Sequence, residues 1–251
     1  MTKMVVDIGA DKCFHQIDLW FVLSRIKIKH QTGKMPDLAK LDAIQAELKY
    51  YNAQLIAVSK TKPVEAIRDV LAHGQIDFGE NYVQELVDKH PQLPDSVHWH
   101  FIGHLQTNKV KQIAGFVHLI HGIDSLKALA EVNKQGLAFN RIINVLIQVH
   151  IAQEESKYGV SPVSLAAFMD QAAGLSIPHV RIRGLMGMAT FTEDESRIRS
   201  EFRNLRKQFD QFKSQSPHFD TLSMGMSSDY KIALEEGSNM VRIGSMIFGE
   251  R

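Results

Sequence analysis

From Asp37 onward, apolar residues alternate between two spacings. In "DLAKLDAIQAEL" Leu38, Leu41, Ile44 and Leu48 recur every three or four residues, the stripe of one helix face. "QLIAVS" (54–59) is instead a short, nearly unbroken apolar run, as expected of a strand covered on both sides. "PVEAIRDVLAHG" returns to the helical period, with Pro63 at its start and Gly74 as its stop. The exchange then repeats. Strands are predicted at "IDFG" (76–79), "VHWHFIG" (97–103), "FVHLIHGI" (116–123), "RIINVLIQV" (141–149), "VRIRGLM" (180–186), "FDTLSMGMS" (219–227) and "MVRIGSMIFG" (240–249). Helices are predicted at "NYVQELVDKH", from about Asn108, at "SLKALAEVNKQG" up to Gly136, at "PVSLAAFMDQAAG", over about 193–215 and at "DYKIALEEG".

About eight strand-then-helix units in roughly 215 residues imply a parallel sheet with covering helices, and that number favours a closed (β/α)₈ barrel of TIM type over an open sheet. No composition shift or Pro/Gly/Ser-rich linker interrupts them, so 35–251 reads as one domain. Residues 1–34 do not share the rhythm. They read as an N-terminal extension with little structure, the functional chain beginning near Met35, which a mass measurement of the native N-terminus tests.

Bulk properties narrow the function. The 251 residues carry 29 basic and 28 acidic side chains, a formal net charge of +1, so no global field favours nucleic acid or an acidic membrane. The single cysteine, Cys13, cannot form an internal disulfide, which fits a reducing cytoplasm. No apolar run approaches the ~18 residues of a membrane span, and the amino terminus does not read as a signal peptide.

In a parallel barrel the chemistry sits where strands end. The groups there include Lys60 and Lys62 after the first strand, Asn81 after the second, His100 in the third, and Met186 in the sixth. Ser223, Gly225, Met226 and Ser227 follow on the seventh, and Arg242, Gly244 and Ser245 on the eighth. The last two loops offer hydroxyls and backbone N–H groups in the usual phosphate position of this fold. A plain helix cap by Ser227 or Ser228 reads the same residues differently. Lys60, desolvated in the mouth and beside a like charge at Lys62, suits attack on an aldehyde. Together an amine and a phosphate pocket suggest pyridoxal 5′-phosphate (PLP), with a surface or phosphate-binding lysine pair as the rival reading. The histidines at 98, 100 and 104 lack H-E-x-x-H spacing or a cysteine partner, so no metal is expected.

The motifs "LIAVSKTKP", "FGENYVQE", "WHFIGHLQTNK", "NVLIQV", "RGLMGM", "LSMGMSSDY" and "GSNMVRIGSMIFG" resemble, in order and spacing, the PLP homeostasis proteins of YggS/PROSC type, over about 37–251. The resemblance implies a barrel like the alanine racemase N-terminal domain, with PLP held as an aldimine on Lys60. It also implies a phosphate held around Ser227, Gly244 and Ser245 with Gly225 and Met226, and Arg242 facing the pyridine nitrogen. A guanidinium there, as in the related racemase barrel, leaves that nitrogen unprotonated and the ring a weaker electron sink; with Lys60 as one base and no opposing base in the sequence, this favours a carrier and regulator of free PLP over an enzyme. The alternatives are a racemase or lyase working from Lys60 alone, and a phosphate-binding barrel enzyme without PLP. Implied partners are PLP-dependent apoenzymes, and the expected state is a monomer or weak homodimer. His150 stands where the family has asparagine.

Overall fold

The computed structural model describes residues 35–154 and 158–250; the expectation for 1–34 lies outside them. Eight parallel strands close a barrel in sequence order: β1 (Gln54–Val58), β2 (Asp77–Glu80), β3 (His98–Phe101), β4 (Leu119–Ile123), β5 (Ile143–Val149), β6 (Val180–Gly187), β7 (Thr221–Met226) and β8 (Met240–Ile243). β8 bonds back onto β1, with Ile56 opposite Arg242 and Ala57 opposite Ile243.

Alternation along each strand sorts side chains into two cores. The larger one lies between barrel and helices, where Leu41, Ile44 and Leu48 of the first helix (Leu38–Tyr50) are buried as the stripe predicts. A small cluster of Ile56, Leu119, Leu146, Met186 and Met240 plugs the barrel itself. Met186 is therefore packing in that plug, 1% exposed, rather than a strand-end residue open to the mouth.

Three boundaries differ from the sequence expectation. The helix expected from Asn108 is a 3₁₀ turn (Thr107–Lys109) and one α-turn (Val110–Ile113). Gly136 does not end its helix, which runs Leu126–Ala138; there a Cβ would meet the His179 Cβ at 2.8 Å, so glycine serves close packing. The apolar run 240–249 is a strand only to Ile243, and Ser245–Phe248 turn into a short helix after Gly244.

Gly184 marks a register shift between β5 and β6. Its φ of +151° is open to glycine, and a Cβ there would run into the Thr221 carbonyl oxygen of β7. Gly184→Ala is expected to cost about 2–5 kcal/mol from backbone strain and overpacking. Urea midpoints measure this against Gly174→Ala, whose Cβ would meet nothing closer than 3.4 Å.

Candidate functional site

Closure of the barrel brings together groups far apart in the chain. Lys60 lies in the turn just after β1, and β8, carrying Arg242 and leading into Gly244, is the neighbouring strand. A Cβ on Gly244 would stand 3.0 Å from the Val58 carbonyl, so the eighth loop crosses the end of β1 with no room to spare. On its other side Gly244 donates its N–H toward Ser227 Oγ at 3.4 Å, linking the seventh and eighth loops. Gly225, with φ of +97°, lets β7 turn tightly against Tyr230 and Ala233.

The Lys60 turn is braced from beneath. Thr61 holds φ at +62°, a left-handed conformation rare for a β-branched residue. Its N–H donates to Glu85 Oε2 at 2.7 Å, and Lys62 N–H donates to Ser59 O at 3.0 Å. Lys89, buried on the next helix (Val83–Lys89), donates to Ser59 O (2.9 Å), Glu80 Oε1 (2.8 Å) and Glu85 Oε2 (2.8 Å). Ser59 Oγ–H donates to Glu80 Oε1 at 2.6 Å. Burial pushes the Glu80 carboxyl above its ordinary range, and Lys89 and Ser59 only partly offset that. For Glu85 burial pushes the same way, but the Lys89 and Thr61 hydrogen bonds outweigh it and the net shift is downward. Lys62 turns away from this network; its Nζ donates to the carbonyls of Gly249 (3.0 Å) and Glu250 (3.1 Å).

Inside the barrel, a hydrogen-bonded chain runs from Arg242 to Asp77. Arg242 Nη1 lies 2.6 Å from Ser223 Oγ and Nη2 lies 3.0 Å from Gly187 O. Ser223 Oγ is 3.2 Å from His121 Nδ1, His121 Nε2 is 3.1 Å from His100 Nδ1, and His100 Nε2 is 3.0 Å from Asp77 Oδ1. A guanidinium only donates and a carboxylate only accepts, so for the neutral imidazoles that burial favours the direction is fixed. Arg242 donates to Ser223, Ser223 to His121, His121 to His100, and His100 to Asp77, with both imidazoles neutral. Burial depresses both histidines, His121 strongly, with the nearby His100 and Arg242 adding to its shift. Burial likewise lowers Arg242 to about 10, which still leaves it protonated at neutral pH.

His121 has a measurable consequence. Its folded pKa lies well below 6.5, so the unfolded chain binds the extra proton. The stability it confers is complete above about pH 6.5 and is lost as pH falls below that value, at about 1.4 kcal/mol per pH unit. Urea unfolding between pH 7 and 5.5 should therefore show a steeper loss in the native protein than in His121→Gln.

The predicted residues divide in two. Lys60, Asn81, Ser227, Gly244 and Ser245 lie beyond strand ends at the mouth, with Gly225 and Met226 at the end of β7. Ser223, Arg242, His100 and Met186 lie within strands, and none of the four is more than 4% exposed. His100 is a link in the buried chain rather than a wall of the mouth. Met226 N–H already donates to Asp229 Oδ1 at 2.6 Å. His150 Nε2 bonds Glu154 O at 2.9 Å, a local loop contact. Sequence reasoning missed His121, Asp77, Glu85 and Lys89. The alternation Leu119–His121 on β4 and the i, i+4 pair Glu85–Lys89 were the signals available.

The family model described as "Alanine racemase, N-terminal domain" matches residues 38–251. The chain is 42% identical over 204 residues to the pyridoxal phosphate homeostasis protein of Aquifex aeolicus, covering 79% of this chain and 87% of that one. It is 39% identical over 229 residues to the protein of the same name from Escherichia coli K12, covering 89% and 97%. Among solved structures, PipY of Synechococcus elongatus with PLP bound is similar at a TM-score of 0.75 and 32% identity, over 84% of this chain and 99% of that one. An alanine racemase of Clostridium difficile shares the fold alone, at a TM-score of 0.69 and 12% identity, over 85% of this chain and 56% of its own length. A barrel with its lysine turn beside two glycine–serine loops, at these identities and coverages, belongs to the pyridoxal phosphate homeostasis protein family.

Proposed function

We propose that this chain binds PLP with Lys60 as its covalent anchor, and that it carries and regulates the cofactor inside the cell for PLP-dependent apoenzymes rather than racemising amino acids. The observation that carries the reading is the β8–β1 closure, which lays the strand leading to Lys60 along the strand of Arg242 and brings the Gly244 loop against Val58 at its end. The donor set fits the cofactor. An amine suits its aldehyde, a fixed guanidinium suits its ring nitrogen, and the Ser227 and Ser245 hydroxyls, with the Gly244 N–H once it leaves its long 3.4 Å bond to Ser227 Oγ, suit its phosphate. Gly225 shapes the seventh loop, whereas Met226 N–H is engaged by Asp229 and contributes backbone shape only. Asn81 and His100 support the mouth and the buried chain respectively, and Met186 supports the floor. When bound, PLP supplies an aldehyde for amine attachment and an electron-withdrawing ring.

Two points support the carrier reading over the racemase reading: the sequence offers one base, Lys60, and no opposing one, and Arg242 weakens the ring as an electron sink. Arg242 stays protonated, and Ser223 Oγ, Ser223 O and Gly187 O hold its guanidinium. A nitrogen facing it stays unprotonated, and carbanion chemistry on the ring is weakened. Among the described residues no helix is long and apolar enough to cross a membrane.

Borohydride treatment of the PLP-loaded protein, followed by peptide mapping, tests the anchor. The expected result is a pyridoxyl mass on the peptide containing Lys60; a label on Lys62 or elsewhere overturns the assignment. Amino-acid racemisation by the loaded protein should not exceed that of free PLP. Enzyme-level turnover would replace the carrier reading with the racemase one.

A further inference from the structure

Three side chains meet at the amino-terminal end of the barrel, opposite the mouth; Asp77 also ends the buried chain from Arg242, while His98 and His118 take no part in the cofactor reading. Asp77 opens β2, His98 opens β3 directly across from it, and His118 precedes β4 with its N–H donating to Trp99 O at 2.8 Å. Each offers one ligand atom, and these atoms lie within 4.8 Å of one another. The His98 and His118 rings stack with centroids 4.3 Å apart, and His98 Nδ1 lies 3.2 Å from Asp77 Oδ1.

We propose that Asp77, His98 and His118 form a binding site for an imidazole-preferring divalent cation of the Zn²⁺ class. Two imidazoles and one carboxylate are the donor set such ions take, with water filling the remaining position. Metal–ligand bonds of about 2.0–2.2 Å place tetrahedral ligands roughly 3.4 Å apart, so the widest separation in the cluster must close by at most about 1.4 Å. The His98 side chain is 40% exposed, so packing on its solvent side does not oppose the ring rotation this needs. Asp77 is the fixed member, its Oδ1 held by His100 Nε2–H at 3.0 Å, the kind of outer hydrogen bond that orients a ligating carboxylate. The neighbouring cation, Arg183, is paired through two hydrogen bonds (2.9 and 2.8 Å) with Asp220, which offsets its repulsion. Local spacing hid this cluster because its members come from three successive strands, and only their pairing brings them together.

Titration of the chelator-stripped full chain with ZnCl₂ in a calorimeter tests the site. Native protein should bind one ion that His98→Gln and His118→Gln each weaken by at least about tenfold. His73→Gln, which removes the surface histidine paired with Asp42 at 2.7 Å, should leave that binding unchanged. No saturable binding, or equal affinity in native protein and both ring variants, overturns the proposal and leaves a stacked histidine pair on a carboxylate. Should the variants fold poorly, substoichiometric Ni²⁺ added to native protein gives a second reading. Selective broadening of the His98 and His118 ring resonances supports the site, and broadening confined to other histidines sinks it.

Discussion

Lys60→Ala is expected to abolish covalent retention of PLP. Loaded native protein should show an absorbance band near the visible edge and keep near-stoichiometric cofactor after borohydride treatment and denaturation. The variant should lose both, because the turn after β1 then presents no amine where the eighth loop crosses it. Residual binding through the Ser227, Gly244 and Ser245 loops should be reversible and removed by gel filtration. Lys62→Ala provides the contrast. Its Nζ donates to the carbonyls of Gly249 and Glu250, so its loss should leave the fixed adduct in place. If Lys60→Ala keeps a fixed pyridoxyl mass at native yield, the anchor is misassigned.

The largest effect on stability is expected from Lys89→Met. Lys89 and Glu80 are 7% and 0% exposed, and Lys89 is the charge that offsets a carboxylate whose Oε2 has no hydrogen-bond partner among the described residues. Removing one member of a buried ion pair leaves the other uncompensated, at about 3–5 kcal/mol. Replacing both, as Glu80→Leu with Lys89→Met, should recover much of that loss because no buried charge then remains. Urea unfolding of the two variants separates the outcomes; a double variant as unstable as the single one would refute the charge argument. The same lysine braces Ser59 O beneath the Lys60 turn, so the single variant should also release PLP faster at temperatures where it is still folded.

The fold was legible where a period of two or of three to four persisted, and the eight strands fall where the apolar runs lie. Legibility failed where composition and geometry part company. Met246, Ile247 and Phe248 extend an apolar run that reads as strand, yet Gly244 breaks it and the residues form a helix. The strand-end placement of Lys60 and of the glycine–serine loops was legible because the apolar runs stop just before them. The buried chain from Arg242 to Asp77 was not, since it depends on which faces of β2, β3, β4, β7 and β8 meet inside the barrel. Lys62 stands in the sequence as a like charge beside Lys60, and its amine is also engaged by backbone carbonyls nearly 190 positions away. That distance could not be seen in a local motif.

The Lys62 bonds to Gly249 and Glu250 have a practical side. They tether the segment after the last helix to the turn that carries Lys60, so a load on that segment is transmitted to the proposed anchor. A purification handle or fluorescent fusion joined after Arg251 would pull on this tether, whereas one joined ahead of Met1 would not use this route. Cofactor occupancies measured on the two kinds of fusion should not be assumed interchangeable.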